Sequence, residues 1–232
     1  MTDRTILITR PREDSGEMVE ALEAKGYKVF SEPLLSIEAL PVMWPEERRY
    51  HGLVLTSTNA LRQIPRGAYR TFPVYTVGAR TAQEARKAGF ENVFSADGDG
   101  GALEKFLAAQ MPPPDKPLLH LCGTEGAHLA VPELTIERLP VYRADAAAAF
   151  SAGLLGLLDK NAIDAALFFS PRTAQAFARL IERAGRKDAL SPIRALCISR
   201  AAAESLKSLP WWEIRAAASP DRESVLALLD QP

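Results

Sequence analysis

The chain has 232 residues, enough for one large domain or two small ones, and 28 Lys+Arg against 29 Asp+Glu leave a formal net charge of −1. That balance excludes general steering toward nucleic acid or an anionic membrane, so an anionic ligand must meet a local cluster of donors. No run approaches the apolar length of a membrane span, and MTDRTILITRPRED lacks the shape of a signal peptide, so a cytoplasmic location is expected.

In chain order, TILIT (5–9) reads as a short apolar strand. Pro11 and Asp14 open a predicted helix that runs to Lys25, with Gly26 as its natural stop. YKVFS (27–31) is the next strand, and PLLSIEALP (33–41) is an extended, proline-marked stretch. Five strand candidates follow: LVLTS (53–57), VYTVG (74–78), NVFSA (92–96), LLHLC (118–122) and TIERL (135–139). Most are separated by helices, and the prolines of QMPPPDKP (110–117) predict a loop. IERLPVYRA (136–144) is a second extended stretch, read with 33–41 as a pair of linker strands. A helix over AFSAGLLGLLDK then precedes the strands AALFFS (165–170), ALCIS (195–199) and EIRAA (213–217). Cys122 and Cys197 lie near strand ends and read as small buried hydrophobes in reduced form.

Two stretches repeat one pattern. LVLTSTNAL with VYTVGARTAQEARKAGF is matched later by ALFFSPRTAQAF with ALCISRAAAESL. Each copy has an apolar strand ending in a small polar residue, then a helix, then a second such unit. Alternating strands and helices imply parallel sheets with right-handed crossovers. The count closes at five strands each only if the N-terminal strand–helix–strand joins the C-terminal half. The predicted fold is therefore α/β, with two similar parallel-sheet, flavodoxin-like domains, a two-stranded linker and an interdomain cleft. Its parts are a discontinuous domain (1–35 plus 145–232), an inserted domain (41–137) and linker strands (36–40 and 138–144). A plain split into sequential halves is the alternative.

In open parallel sheets ligands sit at the carboxyl ends of strands. Those ends read Thr9-Arg10-Pro11, Thr56-Ser57-Thr58-Asn59, Val77-Gly78-Ala79-Arg80-Thr81, Cys122-Gly123-Thr124, Ser170-Pro171-Arg172-Thr173 and Ser199-Arg200. Small hydroxyls and glycines leave helix N-terminal N–H groups open to an anion. Helix capping explains each of them taken singly. An arginine in a first helical turn opposes the helix dipole unless an anion compensates. Arg10, Arg80, Arg172 and Arg200 together point to a ligand with several carboxylates or phosphates. His120, Cys122 and His128 lack metal-ligand spacing, and no dinucleotide fingerprint, P-loop or nucleophile elbow appears.

ILITRP with PLLSI, LVLTSTNAL, VGARTAQEARKAGF, and VYRA followed by LFFSPRTAQAF, in that order along the whole chain, resemble the uroporphyrinogen-III synthase family. The resemblance implies a cofactor-free lyase of tetrapyrrole and heme biosynthesis. Its substrate would be hydroxymethylbilane, a linear tetrapyrrole polycarboxylate, closed to uroporphyrinogen III with loss of water and inversion of the terminal ring. It further implies Tyr142 as the linker tyrosine, a protonated phenol able to donate to the leaving hydroxyl, although an interdomain packing role fits the residue equally. Thr81 matches the family threonine of the first repeat and would act on the substrate or cap its helix. The substrate-binding positions expected are Arg10, Ser57, Thr58, Asn59, Gly78, Gly123, Ser170, Arg172, Ser199 and Arg200. The second repeat departs from the pattern: Ser199 stands where the family has glycine and Ala202 where it has threonine. No metal, nucleic-acid or membrane partner is expected, and a monomer is the default. The alternative of another class is a non-catalytic two-domain binding protein for an anionic ligand.

Overall fold

A computed structural model describes residues 4–98, 100–110, 115–126 and 128–231, so 111–114 of the expected proline-rich loop lie outside the described residues. The chain divides into two compact units: unit 1 spans residues 1–36 and 145–232, and unit 2 spans 37–144.

Unit 1 holds β1 (Thr5–Ile8), α1 (Gly16–Ala24) and β2 (Lys28–Ser31). Two further strands cross the boundary between units, β3 (Leu35–Ala39) and, much later, β8 (Ile136–Ala146). Unit 2 adds β4 (Gly52–Leu55), α2 (Thr58–Leu61), β5 (Val74–Thr76), α3 (Ala79–Lys87), β6 (Val93–Ser95), α4 (Gly100–Gln110) and β7 (Leu118–Gly123). The chain then completes unit 1 with α5 (Ala152–Asp159), β9 (Ala165–Phe168), α6 (Pro171–Ala184), β10 (Arg194–Cys197), α7 (Arg200–Glu204), β11 (Glu213–Ala216) and α8 (Arg222–Ala227).

The unit 1 sheet has the order β11-β10-β9-β1-β2, parallel throughout. The unit 2 sheet has the order β3-β8-β7-β4-β5-β6. Its last five strands run parallel. β3 is an antiparallel edge: Leu40 N–H donates to the Val141 carbonyl, and Ala147 N–H donates to the Leu34 carbonyl, as the two segments pass in opposite directions. Without β3, the two sheets follow one order, with β7 and β8 standing where β1 and β2 stand. Central strands β4, β7, β9 and β10 are buried along their whole length, which is why they read as unbroken apolar runs. The outer strands β2 and β11 are only partly covered.

Two local differences from the sequence reading have clear causes. The helix expected from Pro11 begins as a 3-10 turn over Arg12–Asp14, and α1 proper starts at Gly16. The TIERL strand and the second linker are one strand, because β8 runs eleven residues through Pro140 without breaking. Pro140 survives there because it sits at a register irregularity.

Unit 1 packs around an aromatic group in which Phe177 of α6 meets Phe150, Phe168 and Trp211 at centroid distances of 5.1, 5.3 and 5.4 Å. Helix α6 buries Thr173, Ala174, Ala176, Phe177, Leu180 and Ile181, one face at helical spacing. Trp211 is half-buried against the core while its neighbour Trp212 is 63% exposed, so the pair immediately before β11 divides between core and surface. Both cysteines are free and buried, and burial pushes the Cys197 thiol up to about 12. Among the described residues no helix is long and apolar enough to cross a membrane.

Candidate active site

In each sheet the strand order reverses at one point, which is where open parallel sheets place a crevice at the carboxyl ends. In unit 1 the reversal falls between β1 and β9, and in unit 2 between β7 and β4. Eleven of the twelve residues expected from sequence lie at or just beyond the carboxyl ends of their strands, and Tyr142 lies within β8 beside the end of β7. Arg10, Ser170, Arg172, Ser199 and Arg200 follow β1, β9 and β10. Ser57, Thr58, Asn59, Gly78 and Thr81 follow β4 and β5, while Gly123 ends β7 and pairs with Tyr142 of β8.

The unit 1 crevice is built around Arg10. Its guanidinium lies 4.5 Å from the centroid of the Phe169 ring, and its Nε is buried without a hydrogen-bond partner. Thr9 beside it is satisfied, its hydroxyl donating to the Leu167 carbonyl at 2.8 Å. Three serines are engaged as helix caps. Ser170 Oγ accepts from Thr173 N–H at 3.1 Å, and Ser199 Oγ accepts from Ala202 N–H at 3.3 Å. In unit 2, Ser57 Oγ accepts from Asn59 N–H at 3.1 Å, and the Asn59 side chain accepts from Arg62. The capping explanation therefore holds for Ser57, Ser170 and Ser199. It does not hold for Thr81: helix α3 is capped by Gly78 with no side-chain bond. Thr81 is 8% exposed and makes no side-chain hydrogen bond among the described residues. Thr58 is likewise buried.

Arginines do occupy first turns. Arg200 opens α7, and Arg172 and Arg80 are second in α6 and α3. None of α2, α3, α6 and α7 has an acidic residue in its first turn. The first turns themselves therefore carry no acidic side chain to offset the positive end of the helix dipole. Arg200 is exposed and makes no ion pair among the described residues.

The unit 2 sheet buries a polar group to which the sequence reading gives no role once its spacing rules out a metal. His120 is fully buried, its Nε2 3.2 Å from the Thr56 hydroxyl and its Nδ1 without a partner. Burial, with the Arg138 cation and His128 nearby, pushes it down to about 4, so it is neutral at physiological pH. Arg138 stands opposite His120 in the β7–β8 ladder. It donates to His128 Nε2 and to the Gly126 carbonyl, each at 2.9 Å, which ties down the turn after β7. With its cation placed there, this cluster is unsuited to a second one. The signal available in sequence was a charged residue inside an otherwise strand-like run. Tyr142 is half-buried against the unit 2 core, and its hydroxyl has no hydrogen bond among the described residues.

The family model described as uroporphyrinogen-III synthase HemD matches residues 16–227. The chain belongs to the uroporphyrinogen-III synthase family. That assignment makes it a lyase of tetrapyrrole biosynthesis and favours the catalytic reading over a non-catalytic binding protein. A crystal structure of a mutant uroporphyrinogen III synthase from the extremely thermophilic bacterium Thermus thermophilus shares the fold, with a TM-score of 0.57 at 16% identity over 98% of this chain and 97% of that one. The wild-type native structure from the same organism is 18% identical over 98% and 95%, with a TM-score of 0.41. A further Thermus thermophilus synthase structure gives 18% over 98% of each chain and 0.44. No curated protein sequence matches the chain.

Proposed function

We propose that this synthase-family chain converts hydroxymethylbilane to uroporphyrinogen III, with Tyr142 as the proton donor. The phenol O–H protonates the substrate's terminal hydroxyl, water leaves, and the remaining carbon becomes a cation stabilised by its pyrrole. The substituted carbon of the far terminal pyrrole attacks it to give a spiro intermediate, which opens and recloses with that ring inverted. The proton lost when the pyrrole regains aromaticity restores the phenol. The substrate supplies most of the reactivity. The protein protonates, folds the chain and excludes the direct, uninverted closure.

The observation that carries this reading is a tyrosine whose hydroxyl is unspent, at the carboxyl edge of a sheet in a chain of this family. Thr81, with its unbonded hydroxyl, is proposed to hydrogen-bond the substrate from α3. Gly78, Ser57, Thr58 and Asn59 from unit 2, and Arg10, Ser170, Arg172, Ser199 and Arg200 from unit 1, are proposed to meet the carboxylates. Arg10 supports this with a buried Nε that lacks a partner. A cytoplasmic, monomeric protein is proposed.

The test is a coupled assay. Hydroxymethylbilane is generated in place, the products are oxidised, and the I and III isomers are separated. Type III in proportion to protein is expected, and only type I at the spontaneous rate would overturn the reading.

A further inference from the structure

A proton donor is useful only if its ring is held in one place, and the strands around Tyr142 show what holds it. Pro140 has no N–H to give to the ladder. At that point the register slips: Cys122 pairs with Pro140, but Gly123 pairs with Tyr142, leaving Val141 as an extra residue on β8. Such a bulge re-aims the side chain that follows it. Val141 is fully buried, and Tyr142 packs against the same apolar group, a pairing of neighbours that plain alternation would not give. The backbone is pinned on both sides, since Leu40 N–H donates to the Val141 carbonyl and Thr124 N–H donates to the Tyr142 carbonyl, each at 3.0 Å.

The ring so aimed lies over Gly123. A Cβ at Gly123 would stand 2.9 Å from both Cε2 and Cζ of Tyr142 and 3.2 Å from its hydroxyl oxygen. Gly123 is not among the positive-φ glycines, so space and not backbone conformation demands the missing side chain. The turn beneath is closed by Gly126 N–H donating to the Gly123 carbonyl at 2.9 Å, and Arg138 holds Gly126 in turn. Strand β8 thus supplies both the tyrosine and the arginine that ties down its seat.

We propose that Gly123 is a positioning residue for the Tyr142 phenol, and not a carboxylate contact. Its effect on the reaction rests on Tyr142 being the proton donor; the seat itself does not. The experiment uses the full chain labelled uniformly with 3-fluorotyrosine. The chain has five tyrosines, and Tyr142→Phe identifies the resonance of interest. In Gly123→Ala the Tyr142 resonance is expected to move while the other four stay. Turnover is expected to fall about 10- to 100-fold with KM nearly unchanged, because a misplacement of about 1 Å is enough for that loss. In the Tyr142→Phe background the same substitution is expected to change turnover by less than about twofold.

An unmoved Tyr142 resonance would overturn the proposal, as would an equal loss of turnover in both backgrounds. A moved resonance with unaltered turnover would uphold the seat and remove Tyr142 as the donor. Should Gly123→Ala fail to fold, the double variant Gly123→Ala/Tyr142→Ala opens room for the methyl group. Recovery of folding there supports the proposal, and no recovery overturns it.

Discussion

The second strand–helix turn of unit 2, Val77 to Ala82, and its counterpart in unit 1, Ile198 to Ala203, have the same backbone and opposite chemistry. Gly78 and Ser199 sit at φ −144°, ψ 163° and φ −153°, ψ 161°, extended values open to any residue. Nothing lies within 4 Å of a Cβ at Gly78, so the serine of unit 1 costs no space, and it caps α7. Where unit 2 keeps the unbonded hydroxyl of Thr81, unit 1 has Ala202, fully buried. The crevices differ in the same sense. Aligned on the cap residues Ser57 and Ser170, the His120–Thr56 pair of unit 2 is matched by Ile8 and Phe169 in unit 1. At this turn unit 1 spends its hydroxyl on its own backbone, and unit 2 leaves one unbonded. The departure of unit 1 from the family pattern therefore leaves a turn whose hydroxyl is spent on its own helix, with Arg200 at its exposed start.

That contrast can be broken at graded cost. The largest effect is expected in the unit 1 core, where Phe177→Ala should destabilise by about 3–5 kcal/mol. Denaturant unfolding measures it, and a loss below about 1 kcal/mol would mean that the aromatic group is not what holds unit 1 together. Next comes the buried imidazole of unit 2. His120 titrates near 6.5 when unfolded and is pushed down to about 4 when folded. Between those values the unfolded state binds more protons, so stability rises with pH and is lost as pH falls from about 6.5 toward 4, by roughly 3 kcal/mol in total. His120→Asn should flatten the pH dependence of the unfolding midpoint over that window, and an unchanged slope would assign it elsewhere.

Tyr142→Phe should lower type III formation about 100-fold, the scale of one general acid, with the unfolding midpoint little changed. Full activity in that variant would move the proton donor to another group. The smallest effects separate the two turns themselves. Ser199→Gly should cost a few tenths of a kcal/mol, and Gly78→Ser should be neutral or gain a similar amount by capping α3. If Gly78 leaves an open edge for substrate, only Gly78→Ser will raise KM. Equal kinetics for the two would erase the functional side of the comparison.

The α/β class and the parallel sheets were legible because buried parallel strands need largely apolar runs, which LVL, AALFF, ALC and, but for His120, LLHLC supply. The strand-end serines were legible for a related reason: a helix that starts after such a strand needs a cap, so Ser57, Ser170 and Ser199 mark the right edge whether or not they bind anything. Less visible was anything that depends on a neighbour distant in sequence. Pro140 argued for a break between a strand and a linker, yet β8 continues because its missing N–H falls at a bulge. His120 has the wrong spacing to Cys122 and His128 for a metal ligand. Its environment comes from Thr56, just past the end of β4, and Arg138 of β8, and no local pattern announces them. Gly123 looked like one more open strand end until the ring of Tyr142 was found over it.

The N-terminal strand has a consequence for how the chain comes off the ribosome. β1 lies between β2 and β9, and the Thr5 N–H is tied to the Asp164 side chain across a sequence separation of 159 residues. At about 5–20 residues per second, β1 waits on the order of 10–30 s for its central partner to be made. Residues 37–144 are contiguous and meet no such delay. The inserted unit can therefore mature during synthesis, while the first strand of the chain stays an unprotected apolar segment with one edge open. The first strand made is thus completed only by residues made 159 positions later.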